Sequence, residues 1–160
     1  MESIQIRPFC AVDAPWLVEQ HGKFYARDEG FDDSFGALVE QILEDFVAEH
    51  DPARERGWIA ERAGQRLGSI FCVALDERTA KLRLFLLVPE VRGRGLGQQM
   101  LDTCTDFARG VGFTEMRLWT HESHRAACAL YRRNGWQLLD SKPVHSFGVE
   151  LVEQSWKFRL

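Results

Sequence analysis

Cysteine is present here but never clustered. Cys10, Cys72, Cys104 and Cys128 are scattered through 160 residues, with no CxxC pair and no His/Cys group. That spacing argues against a zinc site or a disulfide framework, so no metal is expected and a reducing cytosol is the natural setting. Long apolar runs are also missing. None approaches the roughly 20 residues that span a bilayer, and the N-terminus, MESIQIRPF, lacks the basic head and apolar core of a signal peptide. The expectation is a cytoplasmic protein with no membrane partner. Positive charge is in short supply as well: 20 Lys and Arg stand against 24 Asp and Glu, a net charge of −4. A broad nucleic-acid surface is therefore not expected. There is no internal repeat, low-complexity stretch or linker. With 45% hydrophobic and 28% charged residues, the chain reads as one globular domain over residues 1–160, long enough to bury a core.

Periodicity places the elements. IQIRPF alternates and predicts a first strand. Asp13 is placed to cap a short helix through Gln20. After Gly30, Phe35, Leu38, Val39, Ile42, Phe46 and Val47 recur at helical spacing and predict a longer amphipathic helix. WIAER and LGSIFCVAL flank an AGQ turn as a hairpin, and TAKLRLFLLV continues the meander. Leu96, Met100, Leu101, Cys104, Phe107 and Ala108 share one helical face. EMRLWT is a strand, and ESHRAACALYRRNG a helix stopped at Asn134 and Gly135. WQLLDSKPV and ELVEQSWKFRL close the chain as strands. The order is strand, two helices, three strands, helix, strand, helix, two strands. This is a mixed α/β fold, mostly antiparallel, with one central βαβ crossover.

The crossover turns at VPEVRGRGLGQQM. A phosphate-cradling P-loop needs Lys-Ser/Thr entering the helix, where this chain has Gln98-Gln99. A dinucleotide-binding turn needs GxGxxG and an acid ending the next strand; here the spacing is GxGxG and that strand ends Leu118-Trp119-Thr120. The third mechanism is a pyrophosphate held on bare N–H groups at a helix N-terminus, where the macrodipole favours anions and glycine permits close approach. Arg92 and Arg94 add charge around that nest. The alternative is a glycine-rich turn with solvated arginines.

Arg92-x-x-Gly95-x-Gly97, after a strand ending Leu87-Val88-Pro89, resembles the R/Q-x-x-G-x-G/A acetyl-CoA signature of the GCN5-related N-acetyltransferase (GNAT) family. Ala127-x-x-Leu130-Tyr131-x-x-x-Gly135-Trp136 resembles that family's A-x-x-L-Y-x-x-x-G-F segment. The element order matches the family fold almost end to end. HGKFYARDEGFDDSF, DPARERGWIAE and HSFGVELVEQSW look like segments of a bacterial subgroup often fused behind a MarR-type winged-helix domain. Residues 1–160 hold no such half, so a DNA-binding role of those fusions is not expected to carry over.

The resemblance implies acetyl-CoA as co-substrate and an N-acetyltransferase activity. It puts the backbone of Leu86, Leu87 and Val88 against the pantetheine, with a main-chain N–H near Val88 facing the thioester oxygen. Arg92, Gly93, Arg94, Gly95, Leu96 and Gly97 are the pyrophosphate loop. Tyr131 is the catalytic candidate: a phenol titrating near 10 can protonate a departing thiolate whose conjugate acid titrates near 8.5. Its alternative is a core aromatic with the hydroxyl on a carbonyl. Many relatives carry Asn seven residues before that tyrosine, contacting the cofactor; His124 stands there, as a cofactor contact or an exposed helix-start residue. The acceptor amine must lose a proton, and His145, His121, Glu153 or water are the candidate bases.

The acceptor is less legible. Glu19 to Asp51 holds ten acids against Lys23 and Arg27, so ten minus two leaves about −8, a field that would steer a cationic amine or simply a solvated helix face. Phe24, Tyr25, Phe31 and Phe35 are pocket or core. The expectation is a small amine or amino-acid-like acceptor. The alternatives are a protein lysine, or an acyl-CoA sensor without catalysis. A toxin-like enzyme acting on aminoacyl-tRNA would want a basic face. Dimerisation through the last strands, common in the family, is not decided by the sequence.

Overall fold

The alternation and helical spacing of the sequence reappear in a computed structural model, which describes residues 3–160. The strands are β1 (Gln5–Pro8), β2 (Arg56–Arg62), β3 (Gln65–Ala74), β4 (Thr79–Leu87), β5 (Glu115–His121), β6 (Gln137–Ser146) and β7 (Val149–Arg159). The helices are α1 (Ala14–Glu29), α2 (Ser34–Glu49), α3 (Leu96–Gly110) and α4 (Arg125–Arg133), with single 3-10 turns at Ala11–Asp13 and Pro89–Val91. The seven strands run in the order β1-β2-β3-β4-β5-β7-β6. β1 to β4 pair antiparallel in sequence, as do β6 and β7, whereas β4 and β5 pair in parallel. No helix among the described residues is long and apolar enough to cross a membrane.

The chain packs as two compact units. One comprises residues up to Phe9, Asp51–Arg117 and Phe158–Leu160. In it the β1–β4 meander supports α3, which packs on β3 and β4. Leu96, Met100, Leu101, Cys104 and Ala108 are buried along one stripe of α3. Burying a Met or Leu side chain stabilises by about 1.5–3 kcal/mol, so that stripe fixes the helix on the sheet. Phe107 lies at the side of the stripe, edge-on to Trp58 at 5.2 Å.

The other unit comprises Cys10–His50 and Leu118–Lys157. It holds the α1–α2 pair, α4 and the β6–β7 hairpin. Two expectations change here. The first helix does not stop at Gln20 but continues to Glu29, because His21 and Phe24 extend its buried face. Asp13 makes no side-chain cap bond to α1; its carboxylate accepts the Cys10 N–H at 2.8 Å and closes the preceding 3-10 turn instead. In α2 the buried positions are Val39, Leu43 and Phe46, whereas Leu38 and Val47 are each 44% exposed. The apolar spacing there is wider than the stripe that packing uses.

Candidate active site

β4 and the turn after it carry the first set of site residues. The parallel register of β4 with β5 covers only Thr79–Lys81 against Glu115–Arg117. Farther along, β4 remains paired to β3, through Ser69↔Leu86 and Gly68↔Leu87. Between these stretches Leu84 takes φ +52, the register shifts, and the Ser69 hydroxyl donates to Leu84 O at 2.6 Å. Such a bulge re-aims the strand beyond it. Val88 N–H then donates to Leu67 O at 2.9 Å. Peptide groups alternate along a strand, so the Leu87 N–H points to the opposite edge, away from β3. Val88 N–H is thus engaged within the sheet, and Leu87 N–H points outward beside it.

Pro89–Val91 makes one 3-10 turn, and the chain enters α3 through Gly93 at φ +76 and Gly95 at φ +85. Both angles lie in the left-handed region that glycine adopts without steric cost. Gly95 is the N-cap of α3, so Leu96 and Gly97 open the first turn, where N–H groups have no intrahelical acceptor. A Cβ built on either left-handed glycine would meet nothing within 4 Å. An anion can therefore approach these amides directly, at the positive end of a 15-residue helix. Arg92 and Arg94 are exposed beside them, and Arg92 Nε–H donates to Leu87 O at 3.0 Å, fastening the guanidinium over the end of β4. This donor set fits a diphosphate: bare amides, a helix dipole and two guanidinium groups.

Tyr131 lies in the other unit, on α4. That helix ends in a complete Schellman motif: Trp136 N–H donates to Tyr131 O at 3.0 Å and Gly135 N–H to Arg132 O at 3.2 Å. The Asn134 amide adds a bond to Leu130 O at 2.8 Å. The conformation needs Gly135, at φ +86. Tyr131 is buried, its ring 5.5 Å from Trp136 and 6.2 Å from Trp156, so its position is set by packing on both sides.

His124, the N-cap of α4, has both ring nitrogens turned into its own unit. Nδ1 lies 3.1 Å from Thr120 Oγ1 and Nε2 lies 3.3 Å from Glu29 Oε1, off the direction of a good hydrogen bond. Burial, with His121 beside it, outweighs the pull of Asp28 and holds its pKa at about 4. The side chain is tied to β5 and α1 through these two neighbours, and it is enclosed rather than an exposed helix-start residue.

The three candidate bases fall in different settings. His145 is exposed, with Nδ1 2.8 Å from Glu150 Oε1. Glu153 is 3.8 Å from Lys142 Nζ. His121, at the end of β5, is half-buried; its Nδ1 is enclosed with no hydrogen-bond partner among the described residues. Burial lowers its pKa, against the pull of Glu153 and Glu29, so the imidazole is neutral at pH 7. Nothing in the residue pattern points to His21, which is buried on α1 with Nδ1 2.7 Å from Leu17 O. Phe147 is equally inconspicuous, its one signal being its place in the HSFG turn.

A mostly antiparallel sheet, one βαβ crossover and a glycine nest at the crossover helix define an acyl-CoA-type N-acyltransferase fold. The family model described as "Acetyltransferase (GNAT) family" matches residues 16–136, and the chain belongs to that family. Acetyl-CoA is the family's co-substrate. Mycothiol acetyltransferase of Streptomyces coelicolor is 29% identical over 140 residues, covering 84% of this chain and 43% of that protein. N-acetyltransferase family 8 member 3 of Rattus norvegicus is 35% identical over 85 residues, covering 50% of this chain and 37% of that protein. The chain thus spans less than half the length of these relatives. Among solved structures, a GNAT acetyltransferase from Elizabethkingia anophelis with acetyl-CoA bound superposes with a TM-score of 0.72 at 16% identity, covering 98% of each chain. Spermidine N-acetyltransferase from Vibrio cholerae, in complex with CoA and spermine, gives 0.73 at 16%, covering 98% of this chain and 95% of that one.

Proposed function

We propose that this chain transfers an acetyl group from acetyl-CoA to the nitrogen of a small amine, with Tyr131 as the general acid and His121 as the proton acceptor. The observation that carries the proposal is the pair of left-handed glycines, Gly93 and Gly95, baring the first-turn amides of α3 beside Arg92 and Arg94. Acetyl-CoA supplies the acetyl group as a thioester. Leu87 N–H, directed away from β3, is a main-chain donor at the end of β4, and such a donor favours negative charge developing on a carbonyl oxygen.

An alkylammonium with a pKa of about 10.4 is almost fully protonated at neutral pH. A neutral imidazole is suited to take that proton, and Glu153 and Glu29 stabilise the imidazolium that results. The C–N bond then forms as the C–S bond breaks. The Tyr131 hydroxyl donates its proton to the departing sulfur and is restored by the proton the nitrogen loses. The nitrogen acceptor agrees with the N-acetyltransferase name of the rat relative and with the spermine of the Vibrio complex. The test is CoA release over a panel of amines, amino acids and lysine peptides. Turnover with small amines is expected; activity confined to lysine peptides would overturn the acceptor class.

A further inference from the structure

α1, the turn after it, α2 and the tip of the β6–β7 hairpin bring four rings together. Tyr25 and Phe35 lie 4.6 Å apart, Phe31 and Phe35 5.1 Å, Phe31 and Phe147 4.9 Å, and Phe35 and Phe147 5.0 Å. Three imidazoles border them: His21 against Tyr25 and Phe35, His124 against Tyr25 at 4.9 Å, and His121 against Phe31 at 5.7 Å. Tyr25, Phe35 and Phe147 are only half-buried, so the cluster keeps a side toward solvent. Phe147 holds φ +54, an unfavourable angle for a residue with a side chain, while its carbonyl accepts Asp32 N–H at 2.8 Å. Strain of this kind persists where the surroundings over-determine it, and functional sites are where it concentrates.

Two nitrogens in this shell lack the partner that burial normally supplies. His21 is 2% exposed. Its Nδ1 faces a carbonyl, which only accepts, so Nδ1 carries the hydrogen and Nε2 presents a lone pair. That Nε2, like His121 Nδ1, has no partner among the described residues. Buried polar atoms left unpaired are costly and scarce in native proteins. Burial holds His21 at about 4, so it stays neutral and its Nε2 remains an acceptor at pH 7. Negative charge surrounds the shell: Glu29 and Glu153 act on His121, and Asp28 acts on His124. The neighbouring bases are turned to carboxylates, Lys142 to Glu153 and Arg27 to Asp28. The His21 Nε2 lone pair, ring faces and negative charge suit one ligand chemistry: an ammonium on an apolar skeleton. A carboxylate on the same ligand would meet this negative field unfavourably.

We infer that the Tyr25–Phe31–Phe35–Phe147 cluster, with His21 Nε2, binds the acceptor and selects an arylalkyl or comparably apolar monoamine without a carboxylate. This selectivity rests on the proposed acetyl transfer only for the fate of the bound amine, and binding can be measured without it. The experiment titrates 2-phenylethylamine, phenylalanine and putrescine into protein labelled with 15N-histidine, followed by CoA-release kinetics. The expected result is binding of 2-phenylethylamine at least tenfold tighter than the other two, with the His21 Nε2 resonance moving toward that of a hydrogen-bonded acceptor. His21→Asn keeps a donor for Leu17 O but places no nitrogen at Nε2, and should weaken that binding about tenfold while leaving the KM for acetyl-CoA unchanged. Phe35→Leu, which keeps apolar volume but loses the ring face, should weaken it as well. Equal affinity for the three ligands, or unchanged affinity in His21→Asn, would overturn the inference. Binding as expected with no CoA release from any amine would instead sink the acetyl-transfer proposal and leave this one standing.

Discussion

Removing the Tyr131 hydroxyl changes little of the packing around it, because the ring contacts with Trp136 and Trp156 survive in phenylalanine. Tyr131→Phe is therefore a chemical probe more than a structural one. General acid catalysis contributes about a hundredfold or more, so kcat should fall by about that factor while the KM for acetyl-CoA stays within about twofold. Steady-state kinetics with a good amine acceptor reads both. The buried histidines make a second prediction at this scale. His21 and His124 both have folded pKa values of about 4, against an ordinary 6.5. Between those limits the unfolded chain binds more protons than the folded one, so stability is full above about pH 6.5 and falls as the pH drops toward 4. A tenfold change in proton affinity is worth about 1.4 kcal/mol, so the combined loss should be on the order of 2 kcal/mol or more. Urea midpoints measured from pH 7.5 down to pH 4.5 should fall steadily, and His21→Asn should flatten the slope.

At the scale of elements, the β4–α3 corner is where the proposed reading puts the cofactor. Gly95→Ala puts a Cβ on a residue at φ +85, strained even though nothing lies within 4 Å. The cost is about 1 kcal/mol or more in stability, and the methyl fills open space on the approach proposed for the diphosphate. Thermal melts should show a Tm lower by several degrees, and calorimetry at a temperature where the variant is folded should show weaker CoA binding. This corner was legible in the sequence because glycine spacing, flanking arginines and the switch from strand to helix all act locally. The end of α4 was legible for the same reason, since Asn134-Gly135 writes its own stop. Less could be read where partners are distant. Which of Leu38, Val39, Leu43 and Val47 turn inward on α2 depends on what packs against the helix. The engagement of Val88 N–H depends on Leu67, one strand away. His21 could not be found from spacing, because its significance lies in an unpaired nitrogen that only the folded unit encloses.

Over the whole molecule, charge is uneven. The net −4 hides the segment from Glu19 to Asp51, where ten acids face two bases. Many of them, Glu40, Glu44, Asp45 and Glu49 among them, stand exposed on α2. For the proposed amine acceptor, a field of this sign is attractive around the unit that carries His121 and Tyr131, and salt screens it over about 8–10 Å. The kcat/KM for a monocationic amine should therefore fall several-fold between about 20 mM and about 500 mM salt, with kcat nearly constant. Acetyl-CoA is an anion, and if the amides and guanidinium groups proposed for it hold it, its KM should rise with salt through the loss of those contacts rather than through the acidic field. The most direct measurement compares two acetyl thioesters by titration calorimetry against the unaltered protein: acetyl-CoA, and acetyl-pantetheine, which has no diphosphate. If the amides of Gly93 to Gly97 are the anchor, acetyl-CoA binds with measurable heat and the truncated thioester binds at least a hundredfold more weakly. Equal affinities, or no heat from acetyl-CoA, would contradict the account.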